Sequence, residues 1–450
     1  MGSGVRVRFA PSPTGFFHIG SARTALFNWL YAKHSGGVMV LRIEDTDDER
    51  DRREFLDVLI HGMQWLGINW DEGPGVGGDY GPYMQSQRSE IYGKHIEFLK
   101  EGGRVYESEG ALYFRVSGEP QVIHDLIRGD VVRKEEKDFV IVRSNGKPVF
   151  HLVNVIDDIL MRITHVIRGE DHLSNTSKHV ELFSAFDVKP PSFAHIPLIL
   201  KSHGPGKMSK RDVGALIEDY EKDCFLPEAV RNYLCLLGWS PKEDREILPI
   251  EEIIRLFDIC DVNKNNARFD EKKMAFFNAE YLRALPFTDF YNRASNAMKF
   301  SGIDVEKFDG QYVRDVLALC QEKLRSLSEL PNFVEYFFNE NVTYDAEIWK
   351  KLHAKCDVDA RLGEFRNGFH KLDSPDENAV EKLINGLAEE NGLNAGAYIH
   401  SVRFAVSGRS VGPSFFGLIR VLGKKTVLDR LDNFLSKTAN LHGVGGSTDL

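Results

Sequence analysis

Cysteine is scarce in this chain of 450 residues. The cysteines lie far apart, with no C-x-x-C pair among them, at Cys224, Cys235, Cys260, Cys320 and Cys356. This spacing excludes a zinc ribbon, and the odd number argues against a disulfide framework. We therefore expect a protein of a reducing compartment.

Long apolar runs are missing as well. Hydrophobic residues make up 42% of the chain and charged residues 28%, and no window approaches the roughly 18 uninterrupted apolar residues of a membrane helix. The N-terminal stretch MGSGVRVRFAPSPTG has neither the apolar segment of a signal peptide nor the amphipathic pattern of a transit peptide. These absences predict a soluble, cytoplasmic protein without a membrane partner.

Positive charge is in deficit. The 57 lysines and arginines face 67 aspartates and glutamates, which gives a net charge of -10. Such a chain does not coat a polyanion through its overall field, so any nucleic acid must meet a local basic patch. The length is about three times that of a typical domain and predicts several domains.

The first half of the chain alternates strand and helix patterns. Strand patterns occupy 5–9, 38–43, 163–169 and 193–200, and amphipathic helical patterns occupy 20–35 and 55–66. This order predicts an α/β fold with a doubly wound, parallel (Rossmann-type) sheet that is interrupted by an inserted module.

The inserted module has an α+β pattern, with strands expected at 111–116 and 138–144 and a polar, turn-rich segment between them. From Pro227 onward nearly every segment has helical periodicity, broken by prolines and glycines. We expect the C-terminal third to be all-α.

Three motif-like features predict no chemistry. GPGVGG at 73–78 matches a dinucleotide-binding string, but it follows a helix and does not open one. GRSVG at 408–412 matches a nucleophile elbow without the preceding strand, so we expect Gly408 to end a helix. The adjacent carboxylates of Asp157 and Asp158 point in different directions, and a capping role is expected for them.

Two segments point to a nucleotide. RFAPSPTGFFHIG (8–20) turns at the carboxyl end of the first strand and places His18 and Gly20 at the start of a helix, where free N–H groups favour a phosphate. The mobile-looking loop KMSKR (207–211) carries three cations within five residues. Alone, the histidine is more often a cap and the charge run a solvated face. Together they lie at the sheet edge where nucleotides bind in such folds.

The motifs and their order resemble one family. APSPTG-x-x-HIG, LFNWLYA, LRIEDTD, GPYMQSQR, VIRGEDHLSNT, HIPLIL, KMSKR and LPEAVRNYLCLLGWS follow one another as in bacterial-type glutamyl-tRNA synthetases, which are class I aminoacyl-tRNA synthetases. The resemblance implies a Rossmann-type catalytic domain at 1–84 and 142–184, an inserted acceptor-stem-binding module at 85–141, a stem-contact region with the KMSKR loop at 185–285 and a helical anticodon-binding region at 286–450.

The resemblance also implies site residues. The glutamate pocket is expected to contain Arg8, Ala10, Ser12, Glu44, Phe150, Asn154 and Arg168. ATP is expected to contact His18, Gly20, Asp171, His172, Leu198, Lys207, Met208, Ser209, Lys210 and Arg211. Of these, His18, Lys207 and Lys210 are the expected catalytic residues.

The chemistry of glutamate agrees with this assignment. Arg8 and Arg168 can each grip a carboxylate, and Glu44 can meet the ammonium. Glutamine would leave an arginine unpaired in a desolvated pocket. Structural alternatives stay open, since Arg8 could be an edge-strand residue and Arg168 could pair with Glu170 or Asp171.

The chain departs from the family pattern at two places. Phe150 stands where the family commonly has a tyrosine, so one hydrogen bond to the amino acid is expected to be lost. The inserted module is shorter than usual, and the cysteines that bind zinc in some members are replaced around Tyr106 to Tyr113. We expect no zinc, and Mg²⁺ only as the companion of ATP.

The implied reaction joins L-glutamate to the 3′ end of tRNA(Glu) through glutamyl-adenylate, with ATP as a substrate. The sequence leaves open whether tRNA(Gln) is also charged, and a monomer is expected. Two other interpretations remain: a nucleotidyl-transferring ligase for a small molecule, and an inactive tRNA-binding paralogue. Candidate cations for tRNA contacts in the helical region are Lys323, Arg325, Arg403, Arg409 and Arg420.

Overall fold

The computed structural model describes residues 4–13, 15–46, 53–133, 136–209, 211–242, 244–354 and 357–443. Lys210 and Cys356 lie outside the described residues. The chain divides into two compact units, Met1–Phe277 and Asn278–Leu450.

The first unit contains strands from distant parts of the chain. In its described residues they are β1 (Arg6–Phe9), β2 (Val38–Leu41), β3 (Val105–Ser108), β4 (Ala111–Phe114), β5 (Gln121–Asp125), β6 (Gly129–Arg133), β7 (Phe139–Val142), β8 (His165–Gly169), β9 (Ser192–Ile196), β10 (Ile199–Leu200) and β11 (Ala267–Arg268). Six strands form a central sheet in the order β2-β1-β8-β9-β5-β6. All neighbours in it are parallel except β5 and β6, which form a hairpin. Strands β3, β4 and β7 form a separate antiparallel sheet, and β10 pairs with β11.

The helices of the first unit connect these strands. They are α1 (Ile19–Ser35), α2 (Arg53–Trp65), α3 (Ser89–Glu101), α4 (Phe150–Leu160), α5 (Leu173–Ala185), α6 (Ile217–Lys222), α7 (Pro227–Leu236) and α8 (Ile250–Leu256). The division between the two units falls within α9 (Glu271–Ala284). Helix α1 ends at Gly36, whose φ of 62° is the left-handed conformation that glycine adopts without steric cost.

The predicted parallel α/β sheet is confirmed. Its strands are apolar because both faces are covered. On β2, Met39 and Leu41 pack into one hydrophobic cluster, and Val40 between them packs into another. On β8, Ile167 packs into the first of these clusters and Val166 packs into the second. The central strands are therefore held rigidly, and the loops at their carboxyl ends have a fixed support.

The inserted module contains more regular structure than predicted. The sequence predicts polar turns between 111–116 and 138–144, whereas the structure has the hairpin β5–β6 there, and β5 pairs with β9 of the central sheet. Strand β9, which overlaps the predicted strand 193–200, also belongs to this sheet. The hairpin escapes prediction because it lies at the sheet edge, where exposed polar residues interrupt the apolar pattern.

The second unit is helical, as predicted. In its described residues it contains α10 (Phe287–Phe300), α11 (Gly310–Gln321), α12 (Leu330–Phe338), α13 (Ala346–His353), α14 (Val358–His370), α15 (Glu377–Glu390), α16 (Ala395–Ser407) and α17 (Phe415–Gly443). Gly408 ends α16 at a φ of 69°, as expected for a helix stop. Gly423 interrupts the helical dihedral angles of α17. In the described part of the chain, no helix is long and apolar enough to cross a membrane.

Candidate active site

A cavity of about 600 Å³ opens at the carboxyl ends of β1, β8 and β9, beside the start of α1. Fifteen of the predicted site residues line it: Arg8, Ala10, Ser12, His18, Gly20, Glu44, Phe150, Asn154, Arg168, Asp171, His172, Leu198, Lys207, Met208 and Ser209. Arg211 is exposed and is not among the described residues that line the cavity. Lys210 lies outside the described residues. The fold thus gathers segments from across the first unit around one space.

The start of α1 gives the cavity a positively polarised wall. His18 caps the helix, and its Nδ1 accepts a hydrogen bond from the N–H of Gly20 at 2.9 Å. The proton of the neutral ring is therefore on Nε2, which makes that nitrogen a donor. A Cβ at position 20 would lie only 3.2 Å from His18 Nδ1, so glycine leaves the cap undisturbed.

Asp158 joins two buried arginines, of which Arg8 lines the cavity. It accepts hydrogen bonds from Arg42 Nη1 at 2.7 Å and from Arg8 Nε at 3.1 Å. Burial alone would raise the pKa of Asp158, but the positive charges of the two arginines hold it below its ordinary value. The charge of Arg8 is thus already shared with a protein carboxylate.

Asp157 points to a different set of partners. Its carboxylate accepts from Arg88 Nε at 2.6 Å, from Gln85 Nε2 at 2.8 Å and from Tyr92 Oη at 3.0 Å. The predicted capping role of Asp157 and its neighbour is wrong. Both lie near the C-terminal end of α4, where the helix dipole disfavours a carboxylate, and they are stabilised by buried donors instead.

Glu44 is the third carboxylate of this group. Its Oε1 accepts from Asn154 Nδ2 at 2.7 Å and lies 3.6 Å from Arg42 Nη2. Burial raises the pKa of Glu44, although the charges of Arg42 and Arg8 oppose the shift. Glu44 and Asn154 both line the cavity, so a cationic group there would find an oxygen acceptor.

Arg168 differs from Arg8 and Arg42 because its hydrogen-bond acceptors are neutral. It donates to Thr176 Oγ1 at 2.7 Å, to His195 Nε2 at 3.2 Å and to the carbonyl oxygen of His172 at 3.4 Å. Its Nη1 lies 3.4 Å from His179 Nδ1. Burial lowers the pKa of Arg168 to about 9, and the nearby charge of Arg8 contributes to the shift.

The alternative ion pairs of Arg168 do not form. Glu170 pairs with Arg128, and Asp171 pairs with Lys207 at 2.8 Å. Among the described residues, no carboxylate forms an ion pair with Arg168. A buried cation without such a partner favours an anionic ligand in the cavity.

The KMSKR loop is held in place on both sides of its methionine. Met208 is buried, and its N–H donates to the carbonyl oxygen of Ile199 at 2.9 Å. Ser209 donates through its N–H and its hydroxyl to Asp212 Oδ2 at 2.7 and 2.8 Å. Lys207 is half-exposed at the cavity edge, where its Nζ donates to Asp171. The described part of the loop presents this cation from a fixed base.

Phe150 lies among three histidine rings. Its ring centroid is 5.5 Å from that of His151, 5.7 Å from that of His172 and 5.6 Å from that of His179. Burial is the main cause that lowers the pKa values of His151 and His172, each to about 4, so both rings are neutral at pH 7. This wall is therefore aromatic and uncharged.

The sequence interpretation missed several charged residues of the site. Arg42 directly follows the apolar stretch VMVL, and the two aspartates of α4 follow LVNVI. A charge inside an apolar stretch must find a partner when that stretch is buried, so this signal was available. His195 and Thr176 give no comparable signal, because polar residues of their kind are common on strands and helices.

The cations proposed for tRNA contacts in the second unit have different environments. Arg403 is buried beside the Phe415 ring, with which its guanidinium is in contact. Arg409 pairs with Glu335, and Arg420 pairs with Glu377. Lys323 and Arg325 are exposed. Burial makes Arg403 a poor candidate for a phosphate contact.

The fold and the cavity belong to a class I tRNA synthetase, as the matches to two family models show. The family model "tRNA synthetases class I (E and Q), catalytic domain" matches residues 4–112 and 107–276. The model "Anticodon binding domain" matches residues 283–435.

Relatives that match nearly the whole chain identify the family within this class. The chain is 45% identical to a glutamate–tRNA ligase of Methylacidiphilum infernorum, over 95% of this chain and 97% of the relative. It is 43% identical to one of Akkermansia muciniphila, over 96% and 99%. The crystal structure of a glutamate–tRNA ligase from Elizabethkingia meningosepticum superposes with a TM-score of 0.83 at 30% identity, over 96% and 99% of the two chains. The chain belongs to the glutamate–tRNA ligase family.

Proposed function

We propose that this cavity binds L-glutamate and ATP, and that the chain ligates glutamate to the 3′ end of tRNA(Glu) through glutamyl-adenylate, releasing AMP and pyrophosphate. The observation that carries the proposal is Arg168, a buried cation with neutral acceptors in the same cavity as His18 and Lys207. An anionic amino acid and a triphosphate are the ligands that complement these charges.

In the proposed complex, Arg168 binds one carboxylate of glutamate, and Arg8 contributes its second guanidinium edge. Glu44, held by Asn154, accepts from the ammonium. Ala10 and Ser12 follow β1 and border the amino acid with Phe150. Glutamine is disfavoured because its amide would leave Arg168 without an anion in a desolvated site.

The phosphates of ATP are proposed to lie at the start of α1. His18 donates from Nε2, Gly20 allows a close approach, and Lys207 and Lys210 supply positive charge. Asp171, His172 and Leu198 border the nucleotide, with Met208, Ser209 and Arg211 supporting the loop. These groups act by alignment and by stabilising charge on the transferring phosphate, so no covalent enzyme intermediate is needed.

Two displacements complete the proposed reaction. First, an oxygen of the glutamate α-carboxylate attacks the α-phosphorus of ATP, and pyrophosphate leaves with the electrons of the broken P–O bond. Second, a ribose hydroxyl of the terminal tRNA adenosine attacks the activated carbonyl carbon, the C–O bond to the phosphate breaks, AMP leaves with its electrons, and the hydroxyl proton passes to solvent. The side chains named above hold the reacting groups in both steps.

The arrangement of potential metal-ligating side chains determines which metal ions the proposal includes. Among the described residues, no group of three or more histidine, cysteine, aspartate or glutamate side chains is arranged to hold a metal ion. Mg²⁺ is therefore proposed only as part of the ATP substrate, whose phosphates and waters supply its ligands. No resident zinc is part of the proposal.

The second unit is proposed to bind the tRNA anticodon region. Because the net charge is -10, the contacts must come from local cations, of which Lys323 and Arg325 are exposed. We propose that the enzyme is a cytoplasmic monomer, and that tRNA(Gln) is a second candidate substrate.

Charging assays test the proposed function. The purified chain, ATP, labelled glutamate and total tRNA should give labelled tRNA, and purified tRNA(Glu) and tRNA(Gln) then separate the two specificities. Pyrophosphate exchange into ATP should require tRNA and should fall steeply as salt rises. Exchange with glutamate but without tRNA would contradict the expected requirement for tRNA in the first step, and no charging of any tRNA would overturn the function.

A further inference from the structure

His195 connects two charged residues of the first unit without lining the cavity. It lies on β9, is completely buried, and is not among the described residues of the cavity wall. Its Nδ1 is 2.6 Å from Asp125 Oδ2, and its Nε2 is 3.2 Å from Arg168 Nε. The ring therefore stands between a carboxylate and the guanidinium that borders the cavity.

These neighbours determine the tautomer of His195. A carboxylate only accepts, so Nδ1 carries the proton and donates it to Asp125. A guanidinium only donates, so the lone pair of Nε2 accepts from Arg168 Nε, and it also faces the hydroxyl of Thr176, whose Oγ1 lies 3.0 Å away. Burial lowers the pKa of His195, which keeps the ring neutral and the lone pair available. A hydrogen on Nε2 would face the N–H of Arg168 and repel it.

Asp125 is itself rigidly held. Its Oδ2 also accepts from the N–H of His195 at 3.0 Å. Its Oδ1 accepts from the N–H groups of Ile127 at 2.9 Å and Arg128 at 2.7 Å, which closes the turn between β5 and β6. The hairpin of the inserted segment is thus linked through two buried side chains to Arg168.

We infer that Asp125 and His195 are positioning residues for the proposed glutamate site: they hold the guanidinium of Arg168 at the angle at which it meets the substrate carboxylate. The inference rests on the proposed function. A guanidinium is a planar fork, so the bond at Nε fixes the plane in which its other N–H groups point. The acceptors must be neutral, because a carboxylate in direct contact with Arg168 would compete with the substrate.

Four variants of the full-length enzyme test this role in tRNA charging. His195→Leu removes the acceptor, His195→Gln restores an acceptor oxygen near the Nε2 position, and Asp125→Asn removes the group that fixes the tautomer. His165→Leu is the matched control. His165 is a histidine of the same sheet whose ring contacts Tyr31 and Thr164 instead.

The expected result is a change in glutamate KM and not in ATP KM. His195→Leu should raise glutamate KM by about tenfold or more, the effect of one lost hydrogen bond to a charged group, with ATP KM within about twofold. His195→Gln should recover most of the loss, Asp125→Asn should change glutamate KM in the same direction, and His165→Leu should change neither constant.

A folded His195→Leu enzyme with wild-type glutamate KM would overturn the inference. So would an equal rise in both KM values, or the same rise in the control. If circular dichroism shows that His195→Leu does not fold, the nearly isosteric Asp125→Asn decides, and an unchanged glutamate KM refutes the role. Wild-type enzyme that charges no tRNA with glutamate would refute the proposed function and the inference with it, whereas an active wild type leaves only the inference at stake.

Discussion

Arg8, Arg42 and Arg168 of the first unit and Arg430 of the second unit are all buried, but their hydrogen-bond acceptors differ. In the first unit, Arg8 and Arg42 meet the carboxylate of Asp158, and Arg168 meets neutral side chains at the cavity wall. Arg8 and Arg168 border a space that a ligand can enter, whereas Arg42 is fully buried and is not among the described residues that line it. The charge of Arg8 and Arg168 is therefore available for chemistry.

In the second unit, a buried arginine caps the C-terminal ends of two helices. Arg430 donates to the carbonyl oxygens of Val406 at 2.7 Å, Tyr336 at 2.7 Å and Asn339 at 2.9 Å. These carbonyls lie at the C-terminal ends of α16 and α12, where the helix dipole favours a cation. The comparison teaches that burial alone does not mark a functional arginine. A functional arginine is distinguished by its hydrogen-bond acceptors together with its access to a cavity or to solvent.

The largest effect is expected at the cavity. Arg168→Leu should lower kcat/KM for glutamate by roughly 10²-fold or more, because it removes the partner of a desolvated carboxylate. The free energy of unfolding should also fall, because Thr176, His195 and the carbonyl oxygen of His172 lose a charged donor, and removal of a buried charge offsets part of this loss. Charging kinetics and denaturant unfolding measure the two quantities. Unchanged kcat/KM in a folded variant would mean that Arg168, like Arg430, has only a structural role.

The converse is expected in the second unit. Arg430→Met should lower the free energy of unfolding there by about 3 kcal/mol, because three carbonyl groups lose a charged donor. Hydrogen exchange of the amides in 278–443 should report the loss, with glutamate KM unchanged. A raised glutamate KM without faster exchange would contradict the distinction between the two kinds of arginine.

The pH dependence of stability should also separate the units. The pKa values of His151 and His172 are about 4 in the folded chain, against an ordinary value near 6.5. Between these values the unfolded chain takes up protons that the folded chain does not, so the first unit should lose stability as pH falls from about 6.5 to 4. Above that range the two residues make no pH-dependent contribution.

Hydrogen exchange at pH 7 and pH 5 measures this loss when corrected for intrinsic rates. His151→Gln should reduce the pH dependence in the first unit, and the second unit serves as the internal control. Equal loss of protection in both units would mean that the histidines around Phe150 are not its cause.

The smallest effect concerns the aromatic wall. Phe150→Tyr should lower glutamate KM by about fivefold, the effect of one added hydrogen bond of about 1 kcal/mol. Steady-state charging at varied glutamate measures it, with ATP KM as the control. An unchanged or raised glutamate KM would mean that the wall formed by Phe150 and the histidine rings is adapted to phenylalanine.

Local patterns predicted much of the fold. The central strands and α1 follow from apolar periodicity and from the glycines that end the helix, and Gly408 ends α16 as expected. The hairpin β5–β6 escaped because an edge strand exposes alternate residues and needs no continuous apolar run. Its pairing with β9 depends on residues far away in the chain.

The sequence by itself determined which chemical groups meet. The segment that ends in His18 and Gly20 starts a helix at the end of a strand, and the loop at Lys207 follows β9, the last strand along the chain of the central sheet. In a parallel sheet these ends lie at one edge, so the approximate site follows from connectivity. These motifs can be identified without the coordinates.

Only the tertiary structure decided how the charges are paired. Asp158 is 150 positions from Arg8 and 116 from Arg42, yet it bonds both. A hydrogen bond requires donor and acceptor within about 3 Å, so the choice among nearby carboxylates depends on sheet register and on the rotation of α4. The same packing gives Arg168 neutral acceptors and puts His195 between Asp125 and Arg168. Sequence spacing carries no record of these distances, because they arise only when the elements pack.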